Sequence, residues 1–178
     1  YIAAGVYSDH ECSTFENALE KPRKGQFIMI REGTAAHNLK ALMPLLTQQY
    51  YSRCMFATDD KHPSDLLHGG HIDYIVKQAL KNGADPIVAL KTATHHAARY
   101  FLLNNKGAIA SGYLADIVVV DNLEDFNVET VFKRGKLVFD GEVKDFSAPT
   151  VDEKLAEKCF DTFHLDSVTP SSFKVDGK

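Results

Sequence analysis

The chain has 178 residues and a formal net charge of −4, with 44% hydrophobic and 25% charged residues. This length holds one domain or slightly more, and the weak negative charge gives no reason to expect nucleic acid or an anionic membrane as a partner. No apolar stretch approaches the roughly 20 residues that a membrane-spanning helix needs. The three cysteines show no Cys-x-x-Cys spacing, which favours free thiols in a reducing cytoplasm.

The chain opens inside an apolar run, Tyr-Ile-Ala-Ala-Gly-Val-Tyr at 1–7, with no initiator methionine and no signal-peptide pattern. A natural first residue rarely lies in such a run. We therefore expect either a processed chain or a piece of a longer one.

Three short apolar segments, at 2–7, 26–30 and 54–57, are predicted strands, and each ends in a polar cluster. Helices are predicted from a Ser13 or Thr14 cap to Glu20, from Thr34 through about Leu46, and over 72–81 and 85–102. Apolar strands that alternate with helices predict a parallel sheet buried on both faces. Ligands bind at the carboxyl ends of the strands in such sheets, which is where all three polar clusters fall.

The pattern changes after Asn104. Short apolar segments at 115–121, 128–134 and 137–139 are separated by glycine turns, which predicts a small β unit beside the parallel sheet. Beyond Pro149 a short helix is predicted at 151–159, and 170–178 is expected to be a linker.

The first polar cluster, Ser-Asp-His-Glu at 8–11, places His10 between two carboxylates. A neutral imidazole is a good ligand for zinc, manganese or iron, and a neighbouring carboxylate such as Glu11 can fix its tautomer. The alternative is a hydrogen-bonded loop histidine.

The other clusters carry similar alternatives. Asp59 could bind a metal and accept a proton from water, with Asp60 contacting a loop or substrate, or an aspartate here could simply cap a helix. The segment 31–34 places the guanidinium of Arg31 and the carboxylate of Glu32 at a strand end. These groups could contribute to an active site or form only a surface ion pair. We expect His68 and His71 to lie in a flexible active-site loop, and a pair of metal ligands is the second interpretation. His96 is expected to be structural.

Four motifs together resemble the bacterial adenine deaminases of the amidohydrolase superfamily. They are Ser-Asp-His-Glu at 8–11, Met-Ile-Arg-Glu-Gly-Thr-Ala-Ala at 29–36, Thr-Asp-Asp-Lys-His-Pro at 58–63 and Gly-His-Ile-Asp at 70–73. The segment from 107 to 138 is similar to the small β-sandwich of the superfamily. The resemblance covers residues 6–141.

The resemblance implies an α/β fold that holds only part of a (β/α)8 barrel. Residues 1–103 would be barrel strands six to eight, 104–149 part of the β-sandwich, and 150–178 a stub or linker to a further C-terminal extension. It also implies hydrolysis of adenine to hypoxanthine and ammonia at a manganese, iron or zinc centre. A purine would be the substrate, and the N-terminal part of the same enzyme and a homo-oligomer would be the partners.

The resemblance assigns roles to six residues. His10 matches the metal-ligand histidine of strand six, and Asp59 matches the strand-eight aspartate that contacts metal and moves the proton. Glu11 is assigned to catalysis, and three residues are assigned to substrate: Asp60, Glu32 and His71. The superfamily's His-x-His, bridging acid and strand-five histidine would lie upstream of Tyr1, and no His-x-His occurs in this sequence. The chain alone is therefore expected to lack part of the active site.

Two alternatives remain open at this point. Another amidohydrolase acting on cyclic C–N bonds, such as a dihydroorotase or an imidazolone hydrolase, predicts the same sandwich and strand-eight aspartate but not the Arg-Glu-Gly-Thr cluster. A catalytically silent fragment that acts as a structural or interaction piece is the alternative from a different class.

Overall fold

A computed structural model describes residues 1–144, 147, 150–160 and 162–175. The chain divides into two compact units, Tyr1–Lys144 and Asp145–Lys178. The predicted end of the β unit at Pro149 and the last three residues of the predicted linker lie outside the described residues. No helix among the described residues is long and apolar enough to cross a membrane.

A parallel three-stranded sheet organises the first half of the larger unit. Its strands are β1 (Ser8–Asp9), β2 (Phe27–Arg31) and β3 (Cys54–Ala57), in the spatial order β1-β2-β3. Asp9 lies opposite Ile28, and Arg31 lies opposite Ala57. The sheet therefore brings the carboxyl ends of all three strands to one edge, as the sequence predicts.

Helices cover this sheet. They are α1 (Phe15–Arg23), α2 (Leu39–Leu42), α3 (Pro63–Gly69), α4 (Ile72–Lys81), α5 (Pro86–Ala93) and α6 (His95–Tyr100). The core consists of strand side chains such as Ile28, Ile30 and Cys54, packed against Leu42 and Ile75 from the helices, all with essentially no exposed surface. Burial of these aliphatic side chains is the main stabilising term for this layer.

The prediction of a buried strand over 2–7 is wrong. Ile2–Ala4 forms a single 3₁₀ turn that ends at Gly5 in the left-handed region, and Val6 and Tyr7 are exposed. The strand is instead formed by the polar residues Ser8 and Asp9. Apolar composition predicts burial only where a second surface packs on the segment, and within the part of the chain that the structure describes β1 pairs only with β2.

Two helix predictions also need correction. Thr34 does not begin a helix, because its hydroxyl accepts from His62 N at 2.8 Å and donates to Asp65, so the helix starts at Leu39. The helix predicted over 85–102 is interrupted at Thr94, which leaves the α-helical region. The predicted Thr14 cap is confirmed, since its hydroxyl accepts from Asn17 N at 3.3 Å.

The second sheet of the larger unit is antiparallel, as the glycine turns predict. It consists of β4 (Ile117–Val120), β5 (Val128–Lys133) and β6 (Lys136–Phe139), in sequential order. Asp116 anchors its turns, because its carboxylate accepts from Arg134 N and from the ammonium groups of Lys106 and Lys133. The smaller unit contains α7 (Glu153–Phe160) and a 3₁₀ turn at Pro170–Phe173.

Candidate active site

The shared carboxyl edge of β1, β2 and β3 carries the polar clusters. His10 and Glu11 follow β1 directly, Arg31 is the last residue of β2, and Asp59 is two residues beyond β3. Parallel pairing places these positions side by side although up to 49 residues of sequence separate them.

A continuous chain of polar contacts joins these residues. His10 Nε2 lies 3.2 Å from Glu11 Oε1, and Glu11 Oε2 lies 3.0 Å from Arg31 Nη2. Arg31 Nη1 in turn donates to Asp59 Oδ2 at 3.0 Å. The structure therefore brings together His10, Glu11 and Asp59, three of the six residues predicted from sequence.

Arg31 is the residue that the sequence argument missed. The sequence offered it either as a guanidinium at the strand end or as half of a surface ion pair, and no site role was assigned to it. Its side chain is 14% exposed and lies between two acids. Its Nε also donates to Asn38 Oδ1 at 2.8 Å. The sequence does contain a signal for this position. Arg31 ends the middle strand, and Glu11 and Asp59 follow the two outer strands, so parallel pairing brings the guanidinium between the two acids. Burial lowers the pKa of Arg31, but the hydrogen bonds to Glu11 and Asp59 and the charges of these two acids together outweigh burial, so the pKa is raised.

Asp59 adopts an unusual backbone conformation, with φ of 48°. Aspartate visits the left-handed region more readily than most residues, but a non-glycine residue there still costs about 1 kcal/mol or more. Among the described residues, Oδ2 has Arg31 as its hydrogen-bond partner, and Oδ1 has none. One oxygen of this carboxylate is therefore free to bind a ligand at the sheet edge.

Asp60 points away from its neighbour and closes a loop. Its Oδ2 accepts from Ala35 N at 2.9 Å, and its Oδ1 lies where a Cβ at Gly33 would be, 1.7 Å from that position. Backbone donors, chiefly Ala35 N, lower the pKa of Asp60 against a smaller effect of desolvation. In this structure Asp60 links the loop after β3 to the loop after β2.

Glu32 and His71 make local contacts. Glu32 Oε1 lies 2.7 Å from His37 Nδ1, and Glu32 Oε2 accepts from Leu39 N at 3.1 Å, so this carboxylate caps α2. His71 precedes α4, with Nε2 3.3 Å from Thr58 Oγ1. His68 belongs to α3 and contacts Ser64 O, so the predicted His-Gly-Gly-His loop is the end of one helix and the start of the next.

The donors at this edge fit part of a metal site. Imidazole nitrogen and carboxylate oxygen are the ligand types that zinc, iron and manganese accept. When His10 Nε2 donates to Glu11, the lone pair of Nδ1 is left for a ligand. Within the described part of the chain, however, no group of three or more His, Cys, Asp or Glu side chains could hold a metal ion. His10 and Asp59 could supply two ligands, and further ligands would have to come from elsewhere.

A groove of about 620 Å³ adjoins β1. It is lined by Ser8 and Asp9 of that strand and also by Ile2, Lys21 and Gln26, among others. Neither His10 nor Asp59 lines this groove.

Curated relatives named adenine deaminase match 78–100% of this chain. The adenine deaminase of Kosmotoga olearia is 47% identical over 86% of this chain and 29% of its own length. Adenine deaminase 2 of Carboxydothermus hydrogenoformans is 44% identical over 100% and 31%, and the adenine deaminase of Thermosipho africanus is 52% identical over 78% and 24%. The chain thus spans less than a third of the length of these relatives.

Solved structures agree on the fold. A β-aspartyl dipeptidase from Fervidobacterium islandicum AW-1 matches with a TM-score of 0.61 at 24% identity, over 75% of this chain and 38% of that one. An amidohydrolase from Thermotoga maritima MSB8 matches with a TM-score of 0.50 at 21% identity, over 71% and 34%.

The Amidohydrolase family model matches residues 3–138, a span that includes the sheet edge and the antiparallel sheet. Enzymes of this family generally depend on a divalent metal, which agrees with the donor types at the edge. Parallel strands, clustered donors at their carboxyl ends and the extent of this match lead to one conclusion: the chain belongs to the amidohydrolase family.

Proposed function

We propose that this chain is part of an adenine deaminase that hydrolyses adenine to hypoxanthine and ammonia. The observation that carries the proposal is the connected set His10, Glu11, Arg31 and Asp59 at one strand edge, in a chain 44–52% identical to proteins named adenine deaminase. We infer the substrate from the names of the relatives. The residues that could act on it lie at the carboxyl edge of the parallel sheet.

In this proposal His10 and Asp59 hold a divalent cation, which could be manganese, iron or zinc. A bound cation of this kind supplies Lewis acidity that makes water a nucleophile near neutral pH. Asp59 accepts the proton of the attacking water and delivers it towards the ring nitrogen or the leaving amine. Glu11 orients the imidazole of His10 through the 3.2 Å contact.

Substrate binding is assigned to the loops beyond the edge. His71, Glu32 and Asp60 all lie in the motifs that resemble those of the adenine deaminases. In this structure Asp60 and Glu32 also shape the loops after β3 and β2. We propose that they set the shape of a purine pocket, in which unpaired buried polar groups would penalise the wrong base.

The proposed architecture places 1–103 as strands six to eight of a (β/α)8 barrel and 104–149 as part of a β-sandwich, with 150–178 as a link to a further extension. The open side of β1, with its adjoining groove, would be covered by the N-terminal part of the same enzyme, because unpaired strand edges invite pairing. A homo-oligomer and a role in purine salvage complete the proposal. Free cysteines at 12, 54 and 159 support a cytoplasmic location.

Ammonia release from adenine tests the function. The full-length protein with added Mn²⁺ should form ammonia and hypoxanthine in equal amounts. Dihydroorotate and imidazolone substrates should remain intact, which chromatography of the substrate measures because hydrolytic opening of these rings releases no ammonia. The isolated 178-residue chain should be inactive, because two ligands do not complete a catalytic metal site, which typically has three protein ligands. Turnover by the isolated chain would contradict its partial nature, and a full-length protein that ignores adenine would refute the substrate.

A further inference from the structure

We infer that Arg31 is a positioning residue of the proposed site, an inference that rests on the proposed function. Its guanidinium holds Glu11 and Asp59 at the same time, so that Asp59 presents Oδ1 to a cation and Glu11 orients His10. No catalytic or binding role was assigned to Arg31 by the motifs, so this is an addition to the six residues predicted.

The geometry favours a fixed fork over a mobile surface charge. Nη2 contacts Glu11 from the β1 side at 3.0 Å, and Nη1 contacts Asp59 from the β3 side at 3.0 Å. Nε is occupied by Asn38 Oδ1 at 2.8 Å, and Asn38 N donates back to Arg31 O at 3.0 Å. Donors on all three nitrogens are engaged with three different segments. The planar guanidinium does this from three separate nitrogen atoms, whereas an ammonium would have to reach all three acceptors from one.

The charges are compatible with a cation at Asp59. Two carboxylates share one guanidinium, so the three side chains together keep a net negative charge. Arg31 also uses only Oδ2 of Asp59. The same fork that fixes the carboxylate therefore leaves its other oxygen and its net charge for a metal ion.

Arg31→Ala and Arg31→Lys in the full-length protein test the inference, with Mn²⁺ titration and adenine kinetics as separate measurements. Loss of an outer contact to a metal ligand typically lowers metal affinity or activity about 10–100-fold. We expect Arg31→Ala to weaken Mn²⁺ binding and to lower kcat within that range, with a smaller change in KM. Arg31→Lys should remain near Arg31→Ala, because the ammonium retains the charge but not the fork.

Chemical rescue distinguishes positioning from general loss of structure. Millimolar guanidinium should restore part of the Mn²⁺ affinity and kcat of Arg31→Ala, and matched urea or sodium chloride should not. Arg53→Ala is the matched control, because Arg53 is also a packed arginine, with Nη1 3.0 Å from Gly25 O and the guanidinium over Phe27. It should leave Mn²⁺ affinity and kcat unchanged.

The Mn²⁺ titration decides the inference even if adenine proves not to be the substrate. Arg31 variants within twofold of the wild type in Mn²⁺ affinity would overturn it, as would a fully restored Arg31→Lys, which would show that charge alone matters. A wild-type protein that binds none of Mn²⁺, Fe²⁺ and Zn²⁺ would also overturn it. If the Arg31 variants do not fold, Asn38→Ala replaces them: it should weaken Mn²⁺ binding several-fold, and an unchanged affinity would count against the positioning role.

Discussion

Neighbouring aspartates at the end of β3 have different environments. Asp59 lies in the left-handed region with one oxygen on Arg31 and one oxygen without a partner among the described residues, whereas Asp60 accepts backbone hydrogen bonds from the loop after β2. The first arrangement exposes a carboxylate for chemistry, and the second uses a carboxylate to hold a loop. Their identical side chains should therefore respond differently to the same substitution.

Asp59→Asn in the full-length protein should lower kcat by about 10²–10⁴-fold, the usual range for loss of a proton-transfer group, and should also reduce bound Mn²⁺. Asp60→Asn should instead act on KM and on loop stability while retaining Mn²⁺. Steady-state ammonia release and metal analysis of both variants provide the comparison. A larger loss of Mn²⁺ from the Asp60 variant would mean that the two roles are reversed.

His96 is a buried residue whose protonation should influence stability. Burial lowers its pKa, an effect opposed by the hydrogen bond from Nδ1 to Cys54 O at 3.0 Å. With a folded pKa below the unfolded value of about 6.5, the unfolded chain binds a proton first as the pH falls. The stability contributed by neutral His96 is therefore present above that value and is lost as the pH falls below it.

Hydrogen exchange at the amides of β3 can measure this dependence in the full-length protein. The free energy of opening should decrease between pH 7.5 and pH 5.5 in the wild type, and His96→Gln should show a smaller decrease. His62→Gln, at an exposed position, is the control and should follow the wild type. Equal slopes for the wild type and His96→Gln would exclude His96 as the source.

At the scale of the elements, the loops after β2 and β3 are locked together. Asp60 binds Ala35 N, and Thr34 contacts His62 N and Asp65. Gly33 is required for this arrangement, because a Cβ there would lie 1.7 Å from Asp60 Oδ1 and 2.8 Å from Thr58 O. The second of these atoms belongs to the backbone and cannot rotate away.

Gly33→Ala should therefore destabilise the full-length protein by about 1–3 kcal/mol, the usual cost of overpacking, and should lower kcat by displacing Asp59. Gly69→Ala is the matched control, since nothing lies within 4 Å of its Cβ position in α3. It should be neutral or slightly stabilising, as alanine favours a helix. Urea denaturation and ammonia release measure both effects, and a fully stable, active Gly33→Ala would refute the clash.

Some elements of the fold could be predicted from the sequence, and others could not. The parallel sheet and the common edge were predictable, because β2 and β3 are apolar runs that end in polar clusters. The conformation of residues 2–7 was not predictable, because burial depends on a neighbouring surface that composition does not reveal. Helix α2 started late because Thr34 is engaged by residues of the next loop, and Arg31 was missed because its partners are distant in sequence.

At the scale of the whole molecule, we propose that the chain forms one edge of a site and not a complete site. His10 and Asp59 follow the outer strands of a three-stranded sheet, and among the described residues β1 pairs on one side only. A groove lined by Ile2, Ala3 and Val6 adjoins that strand. Both features are expected of a sheet that continues into further polypeptide, which is also where additional metal ligands would have to originate.

The central claim is that His10 and Asp59 bind the same metal ion. Anomalous diffraction from Mn²⁺-loaded crystals of the full-length protein measures this directly. We predict an anomalous peak at the carboxyl edge of β1–β3, within about 2.0–2.2 Å of a His10 ring nitrogen and of Asp59 Oδ1, with Arg31 still on Oδ2. A metal ion bound elsewhere, with His10 and Asp59 outside its coordination sphere, would contradict the account.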